Sequence, residues 1–278
     1  MRRFILVILI SIICFSCINN TNNTNNTNVS KVTEESNFPS DKLEFASYTD
    51  STTYHIANND TMPYINISVN ITYPLATGVA KNDNLLIKDF ISDCIGKEYA
   101  NKPSVEDAVK SLINDLIKEY KLNVCGSTPE SKVVKEGWMN HEYYTYNTIL
   151  YNAHGILSCT NNTYTYSGGA HGLGTKVCFV YDVYENQTID LNSIFKKENI
   201  NNVLSLVKEE LIKKEVNIFD MNNVDVTENF FVDDKGIHWI YNPYEIAPYA
   251  EGIIEVVLPY SKIQGYFIEN TPIKSIYK

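Results

Sequence analysis

Nine residues, Tyr164-Thr165-Tyr166-Ser167-Gly168-Gly169-Ala170-His171-Gly172, hold three of the chain's twelve glycines and one of its five histidines. A tyrosine-rich alternating run precedes them, and another, Val177 to Val183, follows. Alternation on both sides of a glycine cluster predicts two strands joined by a tight loop. Glycine at three of five consecutive positions implies positive φ angles or a backbone packed too closely for a Cβ. Such a loop is either a structural corner or a platform presenting His171 and backbone N–H groups to a ligand.

The alternation recurs upstream. Ile65, Ile67, Val69, Ile71 and Tyr73 interleave with Asn66, Ser68, Asn70 and Thr72 until Pro74, the pattern of a half-buried strand. A shorter strand is expected at 54–56. Two stretches have helical spacing instead. Leu86, Phe90, Ile91 and Cys94 share one face within 84–99. Val105, Ala108, Val109, Leu112, Ile113, Leu116, Ile117 and Tyr120 form the stripe of a second helix, with Ser104 as N-cap and Asp107 at N3. Beyond a polar crossover at 126–137, strands are expected at 138–151, 154–159 and 188–195. A helix near 198–215 and a hairpin at 230–241 follow, then a loop at 242–252 with two Pro-Tyr pairs, a strand at 253–258 and a last short helix. The expected fold class is α+β: two small domains, 43–126 and 127–278, each a mainly antiparallel sheet packed by one or two helices.

Arg2 and Arg3 precede an apolar run, 4–15, that is short of the roughly 20 residues a transmembrane helix needs. Ser16-Cys17 ends it. Residues 1–17 therefore read as a lipoprotein-type signal with Cys17 lipidated; simple secretion or an uncleaved anchor are the alternatives. Residues 18–42, rich in Asn and Thr, read as a disordered tether. The expected location is a cell or outer membrane, facing the periplasm or the exterior.

A formal charge of −10 argues against a nucleic-acid partner and favours cationic ligands. Cys94, Cys125, Cys159 and Cys178, an even number in an exported chain, predict two disulfides. The preferred pairs are Cys94–Cys125 and Cys159–Cys178, with four buried thiols as the alternative. No cysteine spacing fits zinc, and neither metal nor cofactor is expected. The histidines are scattered singly, and Glu142, Asp182 and Asp190 stand at no motif spacing from His171. No catalytic residue is assigned, and His171 reads mainly as a corner residue bonding backbone.

Four segments carry a family resemblance, in order: Tyr164-x-Tyr166-x-Gly168-Gly169-Ala170-His171-Gly172; Asp190-Leu191-x-x-Ile194-Phe195; Tyr241-x-Pro243-Tyr244-Glu245-Ile246-Ala247-Pro248-Tyr249-Ala250-x-Gly252; and Leu258-Pro259-Tyr260-Ser261. Together they resemble the extracytoplasmic domain shared by RsiV-like lysozyme-sensing anti-sigma factors and PdaC-like peptidoglycan deacetylases. Residues 43–126 resemble the smaller PdaC-like domain that precedes it. Three residues before the apolar run leave no expected sigma-factor partner. With no catalytic domain after this unit, deacetylation is not expected either. The resemblance implies a non-catalytic module binding lysozyme or peptidoglycan, with Ser167, Gly168, Gly169, His171, Gly172, Pro243, Tyr244, Glu245, Pro248 and Tyr249 as ligand-binding candidates. The alternatives are a cell-wall hydrolase using His171 and a nearby carboxylate, and a structural envelope lipoprotein.

Overall fold

Ile65, Ile67, Val69 and Ile71 are buried and the residues between them are not, so this alternating segment has one face on a core. In the computed structural model, which describes residues 42–277, it is β2 (Tyr64–Pro74), paired antiparallel along its whole length with β1 (Phe45–His55). The expected signal, Cys17 and nearly all of the tether lie outside the described residues. Among the described residues no helix is long and apolar enough to cross a membrane.

Two helices follow β2. The Asn82 side chain accepts from Leu85 N to start α1 (Asp83–Ile95), and Ser104 accepts from Asp107 N to start α2 (Val105–Cys125). Both caps fill donors that the first helical turn leaves unpaired. Of the predicted stripes, Leu86, Phe90, Ile91 and Cys94 on α1 are buried, as are Ala108, Val109, Leu112, Ile113 and Tyr120 on α2, while Val105, Leu116 and Ile117 are half-buried.

The chain then returns to the sheet it left. β3 (His141–Ala153) pairs in parallel with β2, from Ile65↔His141 to Asn70↔Tyr146. His154 and Gly155, both at positive φ, turn it into β4 (Ile156–Tyr166) in the two-residue hairpin geometry that needs left-handed residues. β5 (Leu173–Asp182) and the short β6 (Gln187–Thr188) complete a six-stranded sheet in the order β1-β2-β3-β4-β5-β6. The boundary expected at residue 126 therefore falls inside one sheet. Local pattern marks each strand but not the partner it finds across two helices.

The segment expected to extend β6 as far as residue 195 turns instead. Asp190 and Ser193 form a reciprocal capping box that starts α3 (Leu191–Ile194). α4 (Ile200–Lys213) follows, then a second sheet, β7 (Phe230–Val232), β8 (Ile237–Tyr241) and β9 (Ile254–Leu258), in the order β7-β8-β9. α5 (Tyr260–Ile263) is a single turn behind it. The fold is α+β: a mostly antiparallel six-stranded sheet and an antiparallel three-stranded one, with five helices among the described residues.

Two cores share the large sheet as a wall. α1, α2 and one face of the sheet enclose the first, with Leu157, Cys159 and Tyr181 contributed by β4 and β5. The second sheet and α4 enclose the other, with Ile156, Cys178 and Val180 from the opposite face. Residues 156–161 of β4 are consequently all buried, since successive residues point to opposite faces and both faces are covered. The same geometry corrects the disulfide expectation. All four cysteines are free thiols. Register pairs Cys178 with Thr160 and Cys159 with Phe179, so Cys159 and Cys178 project from opposite faces into different cores. Cys94 lies in the first core, where Asn161 Nδ2 donates to its carbonyl at 2.8 Å, and Cys125 ends α2. Burial pushes the Cys94 and Cys159 thiols up, and that of Cys178 up to about 12.

Candidate functional site

The glycine loop is shaped by what surrounds it. Gly168 has φ 85°, and a Cβ there would lie 2.5 Å from the Trp138 carbonyl oxygen. At Gly172 a Cβ would meet the Tyr164 hydroxyl at 2.3 Å. The Trp138 backbone cannot give way, so Gly168 has no room for a side chain, whereas at Gly172 a Cβ would have to displace the Tyr164 ring. Tyr166 OH donates to Gly169 O at 3.1 Å and closes the turn on its own strand.

His171 leaves this loop toward a segment 73 residues away. Its ring stacks on Tyr249, centroids 4.0 Å apart and planes 24° apart. Its Nδ1 lies 3.0 Å from Gly172 O and its Nε2 3.4 Å from Tyr244 OH. A carbonyl only accepts, so Nδ1 carries the proton and Nε2 is left to accept the longer, weaker bond from Tyr244. Tyr249 OH also donates to Gly172 O, at 3.0 Å, and its ring lies 5.8 Å from that of Tyr244. The structure thus brings the two candidate loops together as one aromatic group.

The second loop is held from both ends. Asn242 accepts from Lys176 N at 2.7 Å and donates to Lys176 O at 3.1 Å, so its side chain acts as one more strand residue beside β5. Ile246 and Ala247 are buried and anchor the middle. Glu245 turns back on its own loop, accepting from Asn242 N at 2.9 Å and from Asn242 Nδ2 at 3.3 Å. Pro248 leads into a 3₁₀ turn, Tyr249–Glu251, and Pro243 precedes Tyr244. Tyr244 sits at φ 73° and is 54% exposed. A bulky residue in the left-handed region costs about 1–2 kcal/mol, and such strain concentrates at ligand sites.

Ser167 and Gly169 are exposed beside this group, and Gly168 is half-buried. Two of the carboxylates weighed as partners for His171 have other work. Asp190 caps α3, Asp182 accepts from Glu185 N at 3.0 Å, and Glu142 stands on β3. His171 is bonded to a carbonyl and a phenol, and neither of these contacts is a carboxylate. Among the described residues no group of three or more His, Cys, Asp or Glu side chains is placed to hold a metal.

One cluster escaped the sequence reading. Buried His238 on β8 stacks on Phe231 at 4.2 Å and lies 2.7 Å from Glu255 and 2.9 Å from Asp233. Both ring nitrogens are engaged, so this is a link between β9, β8 and the hairpin turn rather than an open site. Period-2 spacing puts His238 and Glu255 on matching faces, but their registration depends on a pairing that spacing does not reveal.

Residues 63–174 match the family described as deacetylase PdaC, and residues 192–261 match a family described as a protein of unknown function, DUF3298. Among solved structures, a member of the DUF3298 family from Bacteroides fragilis superposes with a TM-score of 0.75 at 24% identity, covering 86% of this chain and 99% of its own. A DUF3298 family protein from Pseudomonas aeruginosa superposes with a TM-score of 0.54 at 14% identity, covering 82% and 96%. At these identities the likeness is one of fold. No curated protein matches the chain.

Proposed function

We propose that this protein is an exported, lipid-anchored binding module of the cell envelope. Its recognition surface is the His171–Tyr244–Tyr249 group, and its partner is a cationic cell-wall enzyme of lysozyme type or, failing that, peptidoglycan. The observation that carries this is Tyr244: an exposed, strained tyrosine on a loop hydrogen-bonded into place. A rigid aromatic ring pre-ordered before contact binds with little loss of conformational freedom. The net charge of −10 supports the choice of a basic partner, which it attracts at long range.

The test is calorimetric titration of the full chain with a basic lysozyme at low and at high salt, and separately with soluble peptidoglycan fragments. Saturable lysozyme binding, weakened by salt and by about tenfold or more in Tyr244→Ala, supports the reading, as expected for an aromatic hot spot. Binding only to the fragments moves the partner to peptidoglycan, and heat from neither ligand sinks the proposal. Intact mass of Cys17 after export reports the anchor: an unmodified cysteine there rejects it.

A further inference from the structure

The face of the large sheet that looks away from α1 and α2 is covered only in part. The second sheet packs on it where β4 and β5 present Ile156, Cys178 and Val180. Toward the glycine loop it is open: Ser47, Thr49, Ser51 and Thr53 on β1 are exposed there, with Asn70 and Tyr146. Register orders the open part in rungs, since residues directly opposite one another share a face. One rung runs Ser51, Ser68, Tyr144, Tyr164, Gly174. The next runs Thr49, Asn70, Tyr146, Asn162, Lys176, and on the other side lie Thr53, Asn66, Glu142 and Tyr166. Glu142 and Lys176 are the only charges on these three rungs, and they cancel. The rings of Tyr144 and Tyr164 are 5.9 Å apart with planes 10° apart. The Tyr164 hydroxyl lies against Gly172, on whose carbonyl Tyr249 OH and His171 Nδ1 converge. Tyr144, Tyr164, His171, Tyr249 and Tyr244 therefore form one line of rings across the strands, with Tyr146 one rung along.

We propose that this line is a track for an uncharged, linear glycan strand with β-1,4 linkages. A pyranose ring has an apolar C–H face, which stacks on an aromatic ring, and a rim of hydroxyls that both donate and accept. The rungs offer the same combination: tyrosine rings flanked by the hydroxyls of Ser and Thr and the amides of Asn, which also donate and accept. Neighbouring strands are about 4.8 Å apart. Ring separations are 5.9 Å for Tyr144–Tyr164 and 5.8 Å for Tyr244–Tyr249, close to the advance of one sugar along an extended chain. Equatorial β-1,4 links keep such a chain flat and straight, whereas an α-1,4 chain coils away from a flat surface. The chain carries −10 overall, yet these rungs have no net charge, so a charged ligand finds no complement on them.

The track rests on the surface proposed above at its Tyr249 end, but not on a lysozyme partner. The test is calorimetric titration of the full chain with chitohexaose, with maltohexaose as the coiled control, and separately with a basic lysozyme. Expected is saturable chitohexaose binding that high salt does not weaken and maltohexaose does not match. Its dissociation constant should rise about fivefold or more in Tyr144→Ala and in Tyr146→Ala, the order of one aromatic contact. Tyr146 is 52% exposed and belongs to neither core, so its variant keeps the fold. No heat from chitohexaose overturns the inference, as does equal binding of maltohexaose or native affinity in both variants. Chitohexaose binding without lysozyme binding supports the track and counts against the lysozyme partner alone. Lysozyme binding that Tyr144→Ala and Tyr146→Ala weaken, with no response to chitohexaose, assigns this face to a protein and overturns the glycan.

Discussion

Glu130 shows how one side chain fastens segments far apart in sequence. Its Oε2 accepts from Tyr54 OH at 2.6 Å and from Ala57 N at 2.7 Å, and its Oε1 pairs with Lys121 at 3.0 Å. Lys121 in turn lies over the Tyr54 ring, 4.5 Å from its centroid. Ala57 is held at φ 56°, outside the comfortable range for alanine, with its N–H satisfied by this carboxylate. The Tyr54 hydrogen bond first, then that of Ala57, lowers the Glu130 pKa from its ordinary 4.5 to about 2. A folded-state pKa below the unfolded one means that the unfolded chain takes up the proton first as pH falls. The stabilisation is thus complete above about pH 4.5, fades between 4.5 and 2, and is gone below that. Urea midpoints measured from pH 6 to pH 2 should fall more steeply for the native protein than for Glu130→Gln, which keeps an acceptor oxygen but cannot titrate. Because other carboxylates titrate in both proteins, the difference between the two curves isolates Glu130. Parallel curves across that window would show that the carboxylate contributes nothing.

Elements were legible where one face is buried and the other is wet. β2, α1, α2 and α4 all show that contrast, whereas the β7–β8 hairpin, buried on both faces, is marked by its Asp-Asp-Lys-Gly turn instead. β1 does not: Ser47, Thr49, Ser51 and Thr53 alternate with half-buried Ala46, Tyr48, Asp50, Thr52 and Tyr54, so its polarity barely changes from face to face, and only its end was foreseen. β4 fails for the opposite reason, because both faces are covered and Ser158, Thr160 and Asn161 are buried with the apolar residues. The site was half legible. Its two loops stand out by their glycines and prolines, but their meeting depends on side chains that continue the edge of β5. Asn229 accepts from Cys178 N at 2.8 Å and donates to Lys176 O at 2.8 Å, and Asn242 takes the next position. No periodicity marks an asparagine that stands in for a strand. Asn242→Ala leaves the Lys176 N–H at the sheet edge without its partner, a loss of about 1–2 kcal/mol. Hydrogen exchange should quicken at the Lys176 amide while the Cys178 amide, held by Asn229, keeps its protection. Affinity for the partner should fall as in Tyr244→Ala, since the loop loses its clamp. Unchanged exchange at Lys176 would remove Asn242 from this role.

Whether the chain behaves as one body or two follows from where the cores lie. Separate domains meeting near residue 126 would each own a sheet and could unfold independently. Here β2 and β3 are neighbours, so a cut at 126 strips β1 and β2 from the larger sheet and uncovers the long edge of β3. β4 and β5 supply residues to both cores from their two faces, and neither core survives loss of those strands. Cooperativity should therefore span residues 42–277. Leu157→Ala empties a site in the first core and Val180→Ala one in the second; each leaves a cavity costing about 2–4 kcal/mol. Both variants should move the same single transition. Far-UV circular dichroism and tryptophan fluorescence, the latter dominated in the second core by fully buried Trp239, should trace coincident curves in each. Two resolved transitions, with Leu157→Ala shifting one and Val180→Ala the other, would mean that the shared sheet does not couple the cores. The strand exchange between them would then be a matter of geometry alone. A single transition makes the sheet the element through which strain at the Tyr244 loop, docked on the edge of β5, is balanced by packing on the far side under α1 and α2.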